Sequence, residues 1–265
     1  MTNFESLGLS SSLLSAIKDN GYEAPTPIQQ KAIPLILDGQ DLMGLAQTGT
    51  GKTAAFGLPL IERLLAEPQR AAPKGTRALI LAPTRELVNQ IAKNLISFLK
   101  TTPLRVTSVV GGVSINGQIK RLSKGTDILV ATPGRLLDLV DRNAVDLGSA
   151  SYLVLDEADQ MLDLGFIHAL RRIAGLVAKE RQTLLFSATM PKQINELAQS
   201  YLTDPARVEV SPAGRTADKI RQKVHFMDAK AKTGFLIDVL SDQPDDMSLV
   251  FCRTKHGAER LMRKM

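Results

Sequence analysis

Short apolar runs alternate with longer amphipathic stretches along most of the chain. Runs such as ALILA and YLVLD are apolar at successive positions, which is typical of parallel strands that helices cover on both faces. A polar turn and a stretch with helical spacing follow each run. The pattern predicts an α/β fold with a doubly wound parallel sheet over residues 1–210. The predicted strands are DLMGLA, ALILA, VTSVVG, DILVA, YLVLD, TLLFSA and Arg207–Val210.

The pattern changes at both ends of this region. Ahead of the first strand, Thr26 and Pro27 open a helix that Pro34 is predicted to break. Proline, glycine and small polar residues predict an interdomain linker over 211–219. A second α/β pattern follows over 220–265, with strands in QKVHFM and MSLVFC and a helix after each. We therefore expect this segment to be the beginning of an incomplete second domain.

Composition and charge narrow the protein class without identifying a partner. The 265 residues are 44% hydrophobic and 23% charged, which is ordinary for a folded globular protein. The net charge is +6, yet residues 1–210 carry 22 basic and 20 acidic side chains, so bulk charge is no argument for a nucleic acid. Neither a secretory signal nor a membrane span is predicted, and we expect a cytoplasmic protein. Cys252 is the only cysteine, so an internal disulfide is excluded, and this residue is predicted to be a small core residue.

One segment carries a phosphate-binding pattern. AQTGTGKT, residues 46–53, joins the first predicted strand to a helix, and Gly49 and Gly51 allow its backbone N–H groups to face phosphate oxygens at the helix N-terminus. Lys52 would reach the β and γ phosphates, and the Thr53 hydroxyl would bind Mg²⁺. The bland alternative is a glycine-rich turn with no ligand.

An acidic tetrapeptide, residues 156–159, follows the strand YLVL. At the carboxyl end of that strand, Asp156 could hold Mg²⁺ and Glu157 could accept a proton from an attacking water. The alternative is a helix N-terminus with acidic side chains matched to the helix dipole. The phosphate-binding pattern upstream favours the hydrolytic interpretation.

A series of short motifs in fixed order carries a family resemblance. The chain resembles the DEAD-box RNA helicases, and its opening resembles the bacterial RhlE-like members. The resemblance implies a RecA-like P-loop NTPase domain followed by part of a second RecA-like domain. It also implies ATP and Mg²⁺ as cofactors and RNA as partner. The motifs are Phe4 with GY and PTPIQ, AQTGTGKT, PTREL, GG, TPGR, DEAD and SAT.

The resemblance assigns an ATP site. Gln29 would pair with the adenine edge while Phe4 stacks on the ring; the alternatives are a helix-surface glutamine and a phenylalanine that packs against the first helix. Tyr22 could equally be a core aromatic. Catalytic roles are implied for Lys52, Asp156, Glu157, Ser187 and Thr189. The implied ATP contacts are Phe4, Tyr22, Thr26, Gln29, Gln47, Thr48, Gly49, Thr50, Gly51, Lys52 and Thr53, with Thr53 and Asp156 holding Mg²⁺ partly through water.

The resemblance also implies sequence-independent RNA contacts at other strand ends. Glycines there permit close approach of a backbone, and arginine or threonine suits phosphate and sugar contacts. The alternative is a set of turn residues that cap helices, and Ser187 and Thr189 could likewise cap the helix after Pro191. The implied contacts are Pro83, Thr84, Arg85, Gly111, Gly112, Thr132, Pro133, Gly134 and Arg135, and residues 249–254 resemble a further RNA motif.

Two functions from different classes stay open. One is an RNA-dependent ATPase that locally separates short RNA duplexes. The other is a binding module that holds ATP, and holds RNA weakly, with little RNA-stimulated turnover, because the family's transition-state arginines are expected beyond Met265. A GTPase or transport ATPase is disfavoured, since Gln29 and the strand-end motifs have no place there. We expect a monomer without membrane contact, with ribonucleoprotein or RNA-decay complexes as candidate partners.

Overall fold

The computed structural model describes residues 3–67, 69–100, 102–210, 221, 223–242 and 246–265. The chain divides into two compact units, residues 1–215 and 216–265. The predicted linker lies outside the described residues, and the domain boundaries remain a prediction.

The first unit contains a parallel seven-stranded sheet in the order β3-β4-β2-β5-β6-β1-β7. Its strands are β1 Leu42–Leu45, β2 Thr76–Leu81, β3 Val106–Val109, β4 Thr126–Ala131, β5 Tyr152–Leu155, β6 Gln182–Ser187 and β7 Ala206–Glu209. Its helices are α1 Ser11–Asp19, α2 Pro27–Leu37, α3 Lys52–Ala66, α4 Arg85–Phe98, α5 Ile115–Leu122, α6 Pro133–Asp141, α7 Ala158–Asp163, α8 Ile167–Ala174 and α9 Lys192–Tyr201, preceded by a 3-10 turn at Phe4–Leu7.

Alternate residues of the central strands enter two different cores. In β2, Ala78 and Ile80 join the core under α1 to α4, and Leu79 and Leu81 join the core under α5 to α9. All six residues of β2 are buried, as expected where helices cover both faces of a parallel sheet. The doubly wound α/β class and the seven predicted strands are confirmed.

The prediction that Pro34 breaks its helix is wrong. Helix α2 continues to Leu37 with Pro34 inside it, and the Asp38 N–H donates to the Pro34 carbonyl at 3.0 Å. Proline removes only the donor that would reach one turn back. Burial of Ile33 and Ile36 on either side holds the last turn against the core.

The second unit has two helices among its described residues, α10 Lys232–Ser241 and α11 Lys255–Met262. These helices were expected, but the strands predicted in QKVHFM and MSLVFC do not form at the described positions. Phe226 and Phe251 are 95% and 89% exposed, so neither segment finds the paired neighbour that a strand requires. Cys252 is exposed, which corrects its predicted core position.

Helices that could cross a bilayer are absent from the described residues.

Candidate functional site

The phosphate-binding loop lies between the end of β1 and the start of α3. Gly49 and Gly51 have φ values of +85° and +93°, a region that residues with a side chain rarely adopt. A Cβ atom on Gly51 would lie 2.5 Å from the Gln29 Nε2 atom. Within the loop, the Thr50 hydroxyl donates to the Gln47 carbonyl at 2.8 Å. The sequence therefore builds a curled loop with backbone exposed at the N-terminus of a 15-residue helix.

Gln29 contacts the phosphate-binding loop at Gly51 through its side chain. Its side chain is 1% exposed; its Oε1 accepts from the Thr26 N–H at 2.9 Å and its Nε2 donates to the Gly51 carbonyl at 3.1 Å. The structure thus shows a positioning role for this amide, which replaces the alternative of a surface glutamine. Each amide atom keeps capacity for one further hydrogen bond, and adenine pairing by Gln29 stays a prediction.

Lys52 projects into an acidic recess. Its Nζ lies 3.7 Å from Asp156 Oδ1 and 4.0 Å from Glu157 Oε1, and the side chain is 6% exposed. Although both carboxylates are near, the buried ammonium has no hydrogen-bond partner. Buried donors in folded proteins are almost always satisfied. An anionic oxygen bound to the loop would satisfy this one.

Asp156 and Glu157 form an acidic pair in which burial changes the pKa of Asp156. Burial raises the pKa of Asp156 from 3.8 to about 6, the Lys52 ammonium opposes the rise and the Glu157 charge adds to it. Glu157 has φ +53° and ψ +53°, a strained conformation for a non-glycine residue that is typical of functional positions. Its Oε1 accepts from the Thr48 hydroxyl at 2.8 Å. The residue predicted as general base therefore contacts the phosphate-binding loop directly.

The acidic tetrapeptide is joined to the segment after β6. Asp159 Oδ2 accepts from the Thr189 N–H at 2.9 Å and from the Thr189 hydroxyl at 2.8 Å. The fully buried Ser187 donates to the Thr189 carbonyl at 2.8 Å. The helix after Pro191 has no side-chain cap hydrogen bond, so the alternative of a capping role is not seen for these two residues. They connect β6 to the carboxylates after β5.

Phe4 lies in the core, and the partly buried Tyr22 packs against the same core. Phe4 is 6% exposed and meets the Tyr22 ring edge-on at a centroid distance of 6.3 Å, and Tyr22 packs on Phe98 at 5.6 Å. Burial raises the pKa of the Tyr22 phenol. The structure thus shows packing for both rings, and contact with a base by either ring stays a prediction.

The predicted RNA contacts converge at the carboxyl ends of β2, β3 and β4, which are neighbours in the sheet. Arg85 Nη1 donates to the Gly111 carbonyl at 3.3 Å and Arg135 Nη1 donates to the Val113 carbonyl at 3.1 Å. Gly112 has φ +75°, and a Cβ atom there would lie 2.2 Å from Arg85 Nη1. Both arginines therefore brace the same loop from different helices.

The remaining predicted RNA residues lie at the openings of those helices. Thr84 caps α4 by accepting from the Leu87 N–H at 3.2 Å, and Thr132 precedes α6, which begins at Pro133. Pro83 is buried and Gly134 is exposed. Helix capping and RNA contact are compatible here, because capping leaves other N–H groups of the first turn free of intrahelical partners.

Gln118 was missed by sequence reasoning. It is 1% exposed; its Oε1 accepts from the Val110 N–H at 3.0 Å and its Nε2 donates to the Val110 carbonyl at 3.1 Å. The side chain thereby fixes the residue just before the Gly111–Gly112 pair. The available signal was a polar residue on the apolar face of α5, spaced by three and four residues from Ile115 and Leu122.

The donor chemistry at the phosphate-binding loop fits Mg²⁺ only as an open site. Clusters of three or more acidic, histidine or cysteine side chains suited to a metal are absent from the described residues. One hydroxyl from Thr53 and one carboxylate from Asp156 match the usual protein contribution to Mg²⁺, which is completed by water and phosphate oxygens.

A protein-family model described as "DEAD/DEAH box helicase" matches residues 26–197. These residues include the phosphate-binding loop, the acidic tetrapeptide and the braced glycine loop. The chain belongs to the DEAD/DEAH box helicase family. The RecA-like fold is confirmed by the DEAD box protein from the hyperthermophile Methanococcus jannaschii, which superposes with a TM-score of 0.73 at 37% identity over 100% of this chain and 70% of that one.

Curated relatives agree with the family assignment. The chain is 46% identical over 260 residues to DEAD-box ATP-dependent RNA helicase 24 of Arabidopsis thaliana, covering 97% of this chain and 34% of that protein. It is 42% identical over 266 residues to RNA helicase CrhR of Synechocystis, covering 100% of this chain and 53% of that protein. The chain thus spans about a third to a half of the length of these two relatives.

Proposed function

We propose that this chain is the ATP-binding and RNA-binding portion of an ATP-dependent RNA helicase, in which ATP binding and hydrolysis are coupled to local separation of RNA duplexes. The observation that carries the proposal is the buried Lys52 ammonium, which lies between Asp156 and Glu157 without a hydrogen-bond partner. A γ-phosphate oxygen supplies the missing acceptor. The name of the Arabidopsis relative supplies ATP as the nucleotide, and the names of both relatives supply RNA as the substrate.

The residues of the site divide the work of hydrolysis. Backbone N–H groups of the phosphate-binding loop bind the phosphates, and Lys52 places positive charge beside them. Glu157, held by Thr48, accepts the proton of the attacking water. Thr53 and Asp156 would hold Mg²⁺, which would neutralise negative charge on the phosphates.

The order of the strands in the sheet suggests how ATP hydrolysis is coupled to RNA binding. ATP residues lie at the ends of β1, β5 and β6, and the predicted RNA residues lie at the ends of β2, β3 and β4, with β2 and β5 adjacent. The link from Asp159 to Thr189 joins the acidic tetrapeptide to the neighbouring strand end. A change at the γ-phosphate that moves residues 156–159 would therefore reach the end of β6 through this link, and β5 adjoins β2, whose end carries predicted RNA contacts.

A second candidate, an ATP-holding module with little turnover of its own, is favoured by one observation. Within the described part of the chain, Lys52 is the one basic residue that pairs with Asp156 or Glu157. Phosphoryl transfer gains about 10³–10⁵ in rate from an additional arginine. We expect this chain to bind ATP and to show almost no RNA-stimulated turnover unless such an arginine is provided.

Titration of a fluorescent ATP analogue with Mg²⁺ tests the site. Lys52→Ala should abolish saturable binding, whereas Glu157→Gln should retain it, since the amide preserves shape while losing the proton acceptor. Lys93→Ala, an exposed change on α4, is the matched control and should bind like the parent chain. Unchanged affinity of the Lys52 variant would contradict the proposal. Phosphate release by parent and Glu157 variant, with and without single-stranded RNA, then separates the two candidates.

A further inference from the structure

A second concave site lies at the amino-terminal edge of the sheet, opposite the ATP site. It is a cavity of about 520 Å³ between the end of α3, the start of β2, the residues before β3 and the start of β4. This volume is within the range of small-molecule sites in proteins, about 300–1,000 Å³. Helix α3 has 15 residues and so separates this cavity from Lys52 by roughly 22 Å.

An ion-pair network lines the floor of the cavity, in which Arg77 and Asp127 are buried and Glu67 is exposed. Arg77 is 7% exposed; its Nη2 donates to the Leu64 carbonyl at 3.1 Å and lies 3.3 Å from Glu67 Oε2. Its Nη1 lies 3.6 Å from Asp127 Oδ1 but has no hydrogen-bond partner. Asp127 is already an acceptor for the Arg105 N–H at 2.9 Å. Both acids of the cavity thus pair with Arg77, and the Arg77 Nη1 atom still lacks a hydrogen-bond acceptor.

The mouth carries uncompensated positive charge. Arg70, Arg105 and Lys124 line the cavity and are exposed, and none of them forms an ion pair with another described residue. Leu64, Leu65 and Leu104 form its apolar wall. Cationic side chains around an apolar recess favour an anion with a compact body.

The wall of the cavity is held in place by backbone packing. Gly125 has φ +75°, and a Cβ atom there would lie 2.2 Å from the Ala72 carbonyl oxygen and 3.0 Å from that of Ala71. The Gly75 N–H also donates to the Ala72 carbonyl at 2.8 Å. The backbone after Arg70 therefore packs closely against Gly125, the residue before β4, and only glycine leaves room for this approach.

We propose that this cavity binds a small polyanion carrying two or more phosphate groups, at a site separate from the ATP site. Arg105 and Lys124 pair with the phosphate oxygens at the mouth, and the apolar wall contacts the body of the molecule. A concave recess of this size fits a small molecule better than an RNA strand, whose predicted contacts lie at the opposite edge of the sheet. The proposal does not depend on ATP hydrolysis at the phosphate-binding loop.

The test is a titration of sodium pyrophosphate, without Mg²⁺, into the isotopically labelled chain, followed by nuclear magnetic resonance. The amide signals of Leu65, Leu104 and Gly125 should shift saturably. Signals of the phosphate-binding loop should shift as a separate set, and Lys52→Ala should remove that set alone. Shifts confined to the phosphate-binding loop, or shifts at the cavity that do not saturate, would overturn the proposal.

Charge reversal then tests the assignment of the cavity. Arg105→Glu with Lys124→Glu should weaken binding at the cavity at least tenfold, whereas Lys93→Glu with Lys179→Glu, an equal change of net charge at other exposed lysines, should not. Equal weakening by both pairs would show general attraction and no site. Dispersed spectra confirm that the variants fold. Citrate provides a non-phosphate arm, and shifts as strong as those from pyrophosphate would refute the phosphate assignment.

Discussion

Removal of the Gln118 side chain should destabilise the first unit and loosen the glycine loop. Gln118→Ala leaves the Val110 N–H and carbonyl groups, which the amide satisfies at 3.0 and 3.1 Å, without partners. A buried polar group left unpaired costs about 1–3 kcal/mol, so two cost about 2–4 kcal/mol when partial entry of water at the strand end is allowed for. Because Val110 precedes Gly111, RNA affinity should fall while ATP affinity is retained.

Urea unfolding of the chain measures this loss. Gln118→Leu separates hydrogen bonding from packing, since leucine fills much of the same space and makes neither bond. Gln199→Ala, on the exposed face of α9, is the control and should change stability by less than about 0.5 kcal/mol. If the leucine variant unfolded at the same urea concentration and with the same slope as the parent chain, the reasoning about Val110 would be refuted.

Three further predictions concern the glycine loop at the predicted RNA contacts, the adenine contact and the buried carboxylate of the ATP site. Gly112→Ala should displace Arg85 and weaken RNA binding in a filter assay, whereas Gly117→Ala, in open space on α5, should leave RNA binding intact and stabilise the helix by about 0.5–1 kcal/mol; equal RNA affinities would contradict this. Gln29→Ala should weaken ATP more than inorganic triphosphate by calorimetry, and equal losses would exclude adenine recognition. Burial raises the pKa of Asp156 to about 6, so the protonated carboxyl stabilises the nucleotide-free chain fully below about pH 4, and this stabilisation is lost as the pH rises through 6. Asp156→Asn should remove that part of the pH dependence of urea unfolding. An unchanged pH profile would count against the prediction.

Most of the fold was predictable because its signals are local. Buried parallel strands give apolar runs at successive positions, and each run of the first unit became a strand. Pro34 was misjudged because the burial of Ile33 and Ile36 is a tertiary effect that outweighs a local preference. The strands expected around Phe226 and Phe251 failed for a related reason, since an apolar run predicts a strand only where a neighbour exists to pair with it.

The parts of the candidate site that lie in short sequence motifs could be predicted. Lys52, Asp156 and Glu157 meet because parallel strands bring their carboxyl ends to one edge. Contacts between residues far apart in sequence could not be predicted. They include the hydrogen bonds from Thr189 to Asp159 and from Gln29 to the Gly51 carbonyl, and the cavity that Arg77 lines. Those contacts depend on packing geometry that motif spacing does not encode.

Hydrogen–deuterium exchange on the intact chain, with ATP and Mg²⁺ and then with single-stranded RNA, tests the central claim most directly. The claim is that one sheet edge is divided between two ligands. ATP should protect segments 46–53 and 156–159, and RNA should protect segments 83–86, 111–113 and 132–135. Protection of the same segments by both ligands, or of neither set by its assigned ligand, would contradict the account.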